Sequence, residues 1–386
     1  MSTISIYASF SQSSRILRDN WPFIHCLAFP LETANQYSVH PYKWLRYCIG
    51  TIIGAEGDLS TSPYSSDGIV DYDEALPEVS TKLFYHITPE ERQRMFPIDP
   101  HIFKGRSDTL FSSSIDDESI RGDTFREEVG KRDGFNCIIT KLCRTICDAT
   151  HIIPNTKGDE YIEKFTRGRS RDSAGADIIT DIDSARNGVF MAVTCHMAFG
   201  KRIAILQTPN FAMDSADIDP TVAPNEKRWT YHLFKERPDV CNPANYPSGS
   251  EVRMNRDCDP SQNPPAILLD AAYAGLILSQ FGTRELKDCL AVFSDNVFYP
   301  KGHLSRVEQR TKERGRMLRK RAALRENASD GPDIWDMLLG ATYLFRGGIP
   351  PPHDVEMDEN RIRFEEEEKR RAQDKVDVWI KDIQNI

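Results

Sequence analysis

The sequence contains no Cys-x-x-Cys pair, and its nine cysteines form an odd set at irregular spacings. Closely spaced cysteine pairs are typical of structural zinc sites, and even sets are typical of the disulfide frameworks of small secreted proteins. The cysteines therefore predict reduced thiols in an intracellular protein, nuclear or cytoplasmic. A zinc site built from Cys137, Cys143, Cys147 and Cys195 is the less favoured alternative, because their spacing is irregular.

Long apolar runs are also lacking. The most apolar window, residues 266–281, is shorter than a membrane span requires and contains Asp270, which predicts a buried core helix. No basic start followed by an apolar run opens the chain, so we expect no signal peptide. No motif predicts a membrane partner, a small-molecule cofactor or an oligomeric state.

An overall excess of positive charge is absent as well, because the 386 residues carry a formal net charge of −9. Contact with nucleic acid would therefore depend on a local basic patch. Residues 301–325 contain ten basic and two acidic residues. This segment is compatible with a solvated helix, a nuclear-import signal at 319–321 or a phosphate-binding arm. The acidic residues 365–368 could instead pair with this basic segment within the same chain.

The chain divides by pattern into three regions. Residues 1–115 form a mixed α/β region without an assigned function, residues 116–300 contain the motifs described below, and residues 301–386 form a charged helical tail. Helices are predicted at residues 41–54, from Pro89 with Thr88 as its cap, from Asp123 to Gly134, and at residues 159–169. Strands are predicted at residues 135–140, 147–153 and 202–211.

His151 lies within the stretch CDATHIIP, directly before two isoleucines, and alone such a histidine is more often structural than catalytic. Two later features change this interpretation: Asn187-Gly188 opens the apolar run VFMAV, and His196 lies in TCHMAF. The resulting order is a strand with His, a strand opened by Asn and a helix with His. Phosphodiester hydrolysis requires a base that activates water and a cation that neutralises charge on phosphate, and histidine suits the first task.

The blocks FNCIITK, CDATHIIP, DIDSARNG, HMAFG and LQTPNF occur in this order. Together they resemble the HNH endonuclease domain and, more narrowly, the HNH-domain proteins found in many copies in fungal genomes. The resemblance implies an α+β fold with a β-β-α metal finger (His-Me finger) as the nuclease core and DNA as the substrate. The mixed α/β region would precede this core and a helical region would follow it.

The resemblance also implies roles for individual residues. His151 would be the general base, Asn187 would orient the loop of the base or assist the metal, and His196 would be a metal ligand. The cofactor would be one divalent ion, Mg²⁺ or Mn²⁺. Arg186 could contact a phosphate or cap the turn.

The sequence departs from the wider HNH pattern at Thr150, because many HNH enzymes have a metal-binding acidic residue directly before the base. Asp148 is the nearest upstream carboxylate and is taken as the second metal ligand. On a regular strand it points to the face opposite His151. Asp181 and Asp183 are alternative carboxylates.

Two alternatives accompany this hypothesis. A protein that keeps the HNH fold could bind nucleic acid or act as a scaffold without cutting, or the histidines could be purely structural. Asn187-Gly188 could be only a hairpin turn, which that dipeptide commonly forms. Lys131 and Arg132, expected to contact nucleic acid, could be only a solvated helix end.

Overall fold

The computed structural model describes residues 2–10, 23–64, 68–103, 118–235, 246–254 and 259–299. Residues Met1–Leu304 belong to one compact unit, and the remaining unit, Ser305–Ile386, lies outside the described residues. The prediction for the basic segment 301–325 therefore falls outside them, and the three-region division stays a prediction.

The described residues form a mixed α and β fold, as predicted. The strands are β1 (Thr3–Ala8), β2 (Ile24–Pro30), β3 (Gly57–Ser60), β4 (Thr81–Ile87), β5 (Cys147–His151), β6 (Gly188–Ala192), β7 (Ile203–Thr208) and β8 (Arg228–Leu233). The helices are α1 (Leu31–Gln36), α2 (Pro41–Ile53), α3 (Pro89–Arg94), α4 (Glu118–Arg132), α5 (Asp159–Arg169), α6 (Val193–Ala198), α7 (Ala266–Phe281) and α8 (Arg284–Val297).

The first sheet has the strand order β2-β1-β4-β3 and mixes pairing directions. Strand β1 pairs antiparallel with β2 and parallel with β4, and β3 pairs antiparallel with β4. Alternate residues of β1, namely Ile4, Ile6 and Ala8, are completely buried, as expected for a strand with one face on the core. Strand β3 lies at one edge of this sheet, although its sequence GDLS has the composition of a turn.

Helices with clear local signals lie where the sequence places them. The hydroxyl of Thr88 accepts a hydrogen bond from the N–H of Glu91 and caps α3. Helix α2 begins at Pro41 and ends at Ile53, and its C-cap Gly54 adopts a left-handed conformation with φ 73°. Helix α4 begins at Glu118, earlier than predicted.

Helix α7 is the central helix of the core. It packs against α2, β2 and β7, and ten of its residues are buried. This burial explains why its sequence is apolar around most of the helix. Within the described ranges, no helix has the length and apolar character needed to cross a membrane.

Asp270 is the exception on this apolar helix. Its Oδ1 accepts a hydrogen bond of 2.6 Å from the hydroxyl of Tyr47. Burial raises the pKa of Asp270 from 3.8 to about 6, although the Tyr47 hydrogen bond and the charge of Arg169 oppose that rise. Because the pKa is raised in the folded state, folding favours the protonated form of Asp270. The contribution of this side chain to stability is therefore fully present below pH 3.8 and is lost as the pH rises through about 6.

We therefore expect Asp270→Asn to stabilise the fold more at high pH than at low pH. The amide oxygen can still accept from Tyr47, and no charge has to be buried. The gain in the free energy of unfolding over wild type should increase by roughly 1 kcal/mol between about pH 5 and pH 8. Urea unfolding at both pH values measures it. Asp288→Asn on α8 is the control, because the Asp288 side chain is 73% exposed. A gain independent of pH would contradict the assignment.

Strands β5 and β6 form a separate antiparallel pair, in which His151 lies opposite Gly188 and Cys147 opposite Ala192. Helix α6 follows β6 directly and contacts both strands, and α4 packs against both as well. The predicted order of strand, strand and helix is therefore present. Strands β7 and β8 form a further antiparallel pair.

The strand predicted at residues 135–140 is wrong. The chain forms a turn there, with only an isolated bridge between Asn136 and Cys143. Phe135 and Lys141 have positive φ angles of 54° and 61°, which reverse the chain and prevent an extended run. Cys137, Ile138 and Ile139 of this segment are buried, and Phe135 is partly buried.

Candidate active site

His151 is the last residue of β5, and its side chain is 18% exposed. Its Nε2 lies 3.0 Å from Oδ1 of Asp183. An ionised carboxylate can only accept hydrogen bonds, so the proton of a neutral imidazole lies on Nε2. The Nδ1 atom then carries the lone pair that a base requires. The contact with Asp183 thus fixes the tautomer that can take a proton at Nδ1.

Asp183 belongs to the loop between α5 and β6, and several hydrogen bonds hold this loop. The N–H of Asp183 donates to Oδ1 of Asp181, and the N–H of Ile182 donates to Oδ1 of Asp159 at the start of α5. Of the carboxylates considered in the sequence, Asp183 is the one that the structure places beside His151. Its position depends on backbone contacts around it and not only on its own side chain.

Asn187 is completely buried at the end of a 3₁₀ turn, Ala185–Asn187. Its Oδ1 accepts from the N–H of Ile153, and its Nδ2 donates to the carbonyl oxygens of Ile153 and Ile182, each at 2.9 Å. Asn187 therefore ties the segment after His151 to the residue before Asp183. The alternative of a simple hairpin turn is wrong, because β5 and β6 are separated by α5 and a long loop. Its contacts fit the predicted orienting role and not that of a metal ligand.

His196 lies on α6 with a partly exposed side chain. Since α6 contacts β5 and β6, His196 and His151 lie on neighbouring elements of one small unit. Cys195, the preceding residue, is fully buried and anchors the helix.

The carboxylate of Asp148 is engaged by a basic side chain of α4. Its Oδ1 accepts a 2.9 Å hydrogen bond from Nε of Arg126 on α4, which forms an ion pair, and a second from the N–H of Ala149. Asp148 and His151 are three residues apart on a regular strand and point to opposite faces. That Asp148 binds the metal stays a prediction, and in this structure its carboxylate pairs with Arg126.

The residues fit a metal ion only in part. Within the described ranges, no group of three or more His, Cys, Asp and Glu side chains is placed to hold an ion. Thr150, at the position of the usual acidic ligand, is completely buried, and its hydroxyl has no hydrogen-bond partner. A tetrahedral all-protein zinc site therefore does not fit these residues. Magnesium, which keeps several waters and binds few protein groups together with substrate phosphates, requires fewer donors.

The three basic residues expected to contact nucleic acid differ in exposure. The Lys131 side chain is 68% exposed and lies 3.7 Å from Glu127, one helical turn earlier. Arg186 is partly buried, and its Nη2 donates to the carbonyl oxygen of Ala176. Lys131 is thus placed as an accessible cation, whereas Arg186 is partly engaged in holding its own loop.

Arg132 is not available to nucleic acid. Its side chain is 4% exposed and forms a bidentate ion pair with Asp133, at 2.7 and 2.8 Å. The guanidinium also donates to the carbonyl oxygens of Ala185 and Gly188, each at 2.7 Å. The prediction of a phosphate contact is therefore wrong, and so is the alternative of a solvated helix end. Arg132 instead anchors α4 to both ends of the turn that carries Asn187.

The cysteines considered for zinc are free thiols, with Cys137, Cys147 and Cys195 buried and Cys143 exposed. A hydrogen bond from Cys195 is the main cause that lowers the pKa of Cys137 to about 5, against the opposing effect of burial. Cys137, Cys147 and Cys195 belong to the hydrophobic core.

One contact of the site has no signal in the sequence. The ring of Phe125, on α4, lies parallel to the imidazole of His151, with 3.9 Å between ring centroids and an angle of 10° between the planes. Phe125 precedes His151 by 26 residues and belongs to no recognisable block. Only the packing of α4 on β5 and β6 brings the two rings together.

Comparison with known proteins identifies part of this region. The family model described as HNH endonuclease matches residues 137–206, which include His151, Asp183, Asn187 and His196. Residues 137–206 are therefore similar to an HNH endonuclease domain. Searches of curated proteins and of solved structures return no match. The family match does not address the narrower resemblance to fungal proteins.

Proposed function

We propose that this protein is a metal-dependent endonuclease that hydrolyses DNA phosphodiester bonds with weak sequence preference. The observation that carries the proposal is the His151–Asp183 pair, held by Asn187 inside the stretch that matches the HNH endonuclease family. A histidine with an ordered carboxylate partner is a suitable general base for water.

In the proposed mechanism His151 takes a proton from the attacking water at Nδ1. Asp183 holds the proton on Nε2 and stabilises the imidazolium that forms. Asn187 keeps the segments on both sides of this pair at a fixed separation. Lys131 and Arg186 supply positive charge for the DNA backbone.

One divalent ion, Mg²⁺ or Mn²⁺, would be held by His196 together with substrate phosphate and water. Such an ion neutralises the charge that develops on the phosphate and on the leaving oxygen. This role is supported by the position of α6, which carries His196, follows β6 directly and contacts the strand of His151.

The proposal predicts nicking of supercoiled plasmid in Mg²⁺ or Mn²⁺ and none in EDTA. His196→Ala should weaken Mn²⁺ binding about tenfold or more and lower the nicking rate, since one of few protein ligands is removed. Isothermal titration with Mn²⁺ measures binding independently of cleavage. Met197→Ala is the matched control, because Met197 is the next residue of α6 and is 46% exposed. Wild-type nicking in EDTA would contradict the metal requirement.

A second candidate function is a non-cleaving nucleic-acid-binding protein with an HNH fold. The buried Thr150 favours it, because the usual acidic ligand before the base is missing. This candidate predicts DNA retention on a gel that weakens steeply with salt, without nicking in any metal. Nicking that depends on His151 would exclude it.

A further inference from the structure

Helix α4 precedes the matched stretch of residues 137–206, but it packs on both strands of the site. Its residue Phe125 is 4% exposed and lies flat on the His151 imidazole, with the ring centroids 3.9 Å apart. This separation is that of direct contact between two ring faces. One face of the imidazole is therefore covered by a fixed aromatic ring from outside the family match.

The space for this ring comes from Gly188. Gly188 lies directly opposite His151 in the β5–β6 pair. A Cβ at this position would lie 2.7 Å from Cζ of Phe125 and 2.6 Å from Cγ2 of Val129, both closer than atoms can pack. The φ of Gly188 is −131°, an extended value that other residues adopt readily. Glycine is thus required here for the approach of Phe125 and not for the backbone conformation.

The contacts of His151 with Asp183 and with Phe125 act in different directions. The hydrogen bond to Asp183 lies at the edge of the imidazole, at Nε2, and fixes where that edge points. The ring of Phe125 lies against the face and fixes the plane. A base must be held within about 0.5 Å and 10–20° of its productive geometry. Neither contact alone sets both the direction and the plane of the ring.

We propose that Phe125 is a positioning residue of the nuclease, which acts through His151, and that Gly188 makes its approach possible. The inference rests on the proposed role of His151 as the base. If Phe125 has this role, the residues that hold His151 include one on α4, which lies outside the residues that match the family. It also gives Gly188 of the Asn-Gly pair a steric role in the site.

The test compares Phe125→Leu and Gly188→Ala with wild type. Phe125→Leu keeps an apolar side chain but removes the ring face, and Gly188→Ala keeps Phe125 but closes the space it occupies. Each should lower kcat for plasmid nicking about ten- to a hundredfold, because a misplaced base costs rate, while KM stays near the wild-type value. Phe135→Leu is the matched control, since Phe135 is a nearby ring that packs edge-on against Phe190.

A second readout does not depend on activity. Nuclei above an aromatic face are shielded, so the His151 ring signals in NMR spectra of histidine-labelled protein should be shifted upfield. The His151 ring signals are identified as those that disappear from the spectrum of a His151→Ala variant. Phe125→Leu and Gly188→Ala should remove this shielding, and Phe135→Leu should leave it in place. Circular dichroism checks that each variant is folded.

The outcomes separate this inference from the proposed function. A folded wild type that does not nick DNA would overturn the proposed function, whatever the spectra show. Wild-type kcat in Phe125→Leu, with the His151 signals displaced, would overturn the positioning role alone. His151 signals unchanged in Phe125→Leu would overturn the contact itself. Reduced kcat with displaced signals in both variants, and neither change in Phe135→Leu, supports the inference.

Discussion

His151→Ala is expected to abolish measurable plasmid nicking, with a fall in kcat of about 10²- to 10⁴-fold, the usual contribution of a general base. The substitution removes the imidazole to which the proposed mechanism assigns the proton of the attacking water. Binding of DNA should change little, because the phosphate contacts are assigned to other residues. Single-turnover nicking and a gel-shift titration measure the two effects separately.

His101→Ala is the matched control for this variant. His101 is exposed, and the hydrogen bonds of its residue involve the backbone N–H and carbonyl oxygen rather than the imidazole. It should nick DNA at the wild-type rate. Partial recovery of His151→Ala in added imidazole would locate the defect at the missing base. Equal rates for His151→Ala and wild type would rule out the mechanism.

The parts of the fold that could be predicted from the sequence are those with local signals. Helix α3 begins with a cap and a proline, and α7 is an apolar run too short for a membrane. The run CDATH before Ile152 and Pro154 predicts β5. In each case the deciding residues lie within a few positions of one another, so their meaning does not depend on the rest of the chain.

The missed elements depend on distant parts of the chain. Strand β3 has the sequence GDLS, which resembles a turn, and becomes a strand only by pairing with β4. The segment FNCIIT has strand composition, but the positive φ of Phe135 and Lys141 makes it a turn. Composition reports what a segment prefers, and tertiary packing overrides that preference where contacts with other segments are stronger.

The residues of the site also divide into those with a local sequence signal and those that only tertiary contacts identify. The ordered blocks predicted His151, Asn187 and His196, and the structure places them on adjoining elements. Choosing among the carboxylates required the tertiary structure. Asp148 is close in sequence but faces away from His151, whereas Asp183 is 32 residues later and in contact.

Asp183→Asn is expected to lower kcat by about 10³-fold, somewhat less than the roughly 10⁴-fold loss that the same substitution of the orienting carboxylate causes in a serine-protease triad. The Asp183 carboxylate accepts the proton on Nε2 of His151. An asparagine can turn its NH₂ group toward the ring, and the imidazole proton then moves to Nδ1, the atom that must accept the proton of water. The variant also removes the negative charge that stabilises the imidazolium.

Asp181→Asn is the control that separates this effect from damage to the loop. Asp181 lies two residues earlier, is exposed, and accepts from the N–H of Asp183 through Oδ1. An asparagine oxygen can accept the same hydrogen bond, so the loop should stay in place and nicking should stay near wild type. The ¹⁵N shifts of the His151 ring nitrogens report the tautomer directly and should change only in Asp183→Asn. Equal losses of kcat in the two variants, without a change of tautomer, would show that the loop and not the carboxylate matters. If Asp183→Asn instead keeps wild-type kcat, His151 does not depend on Asp183 for its tautomer, and the base must be oriented by its other contacts.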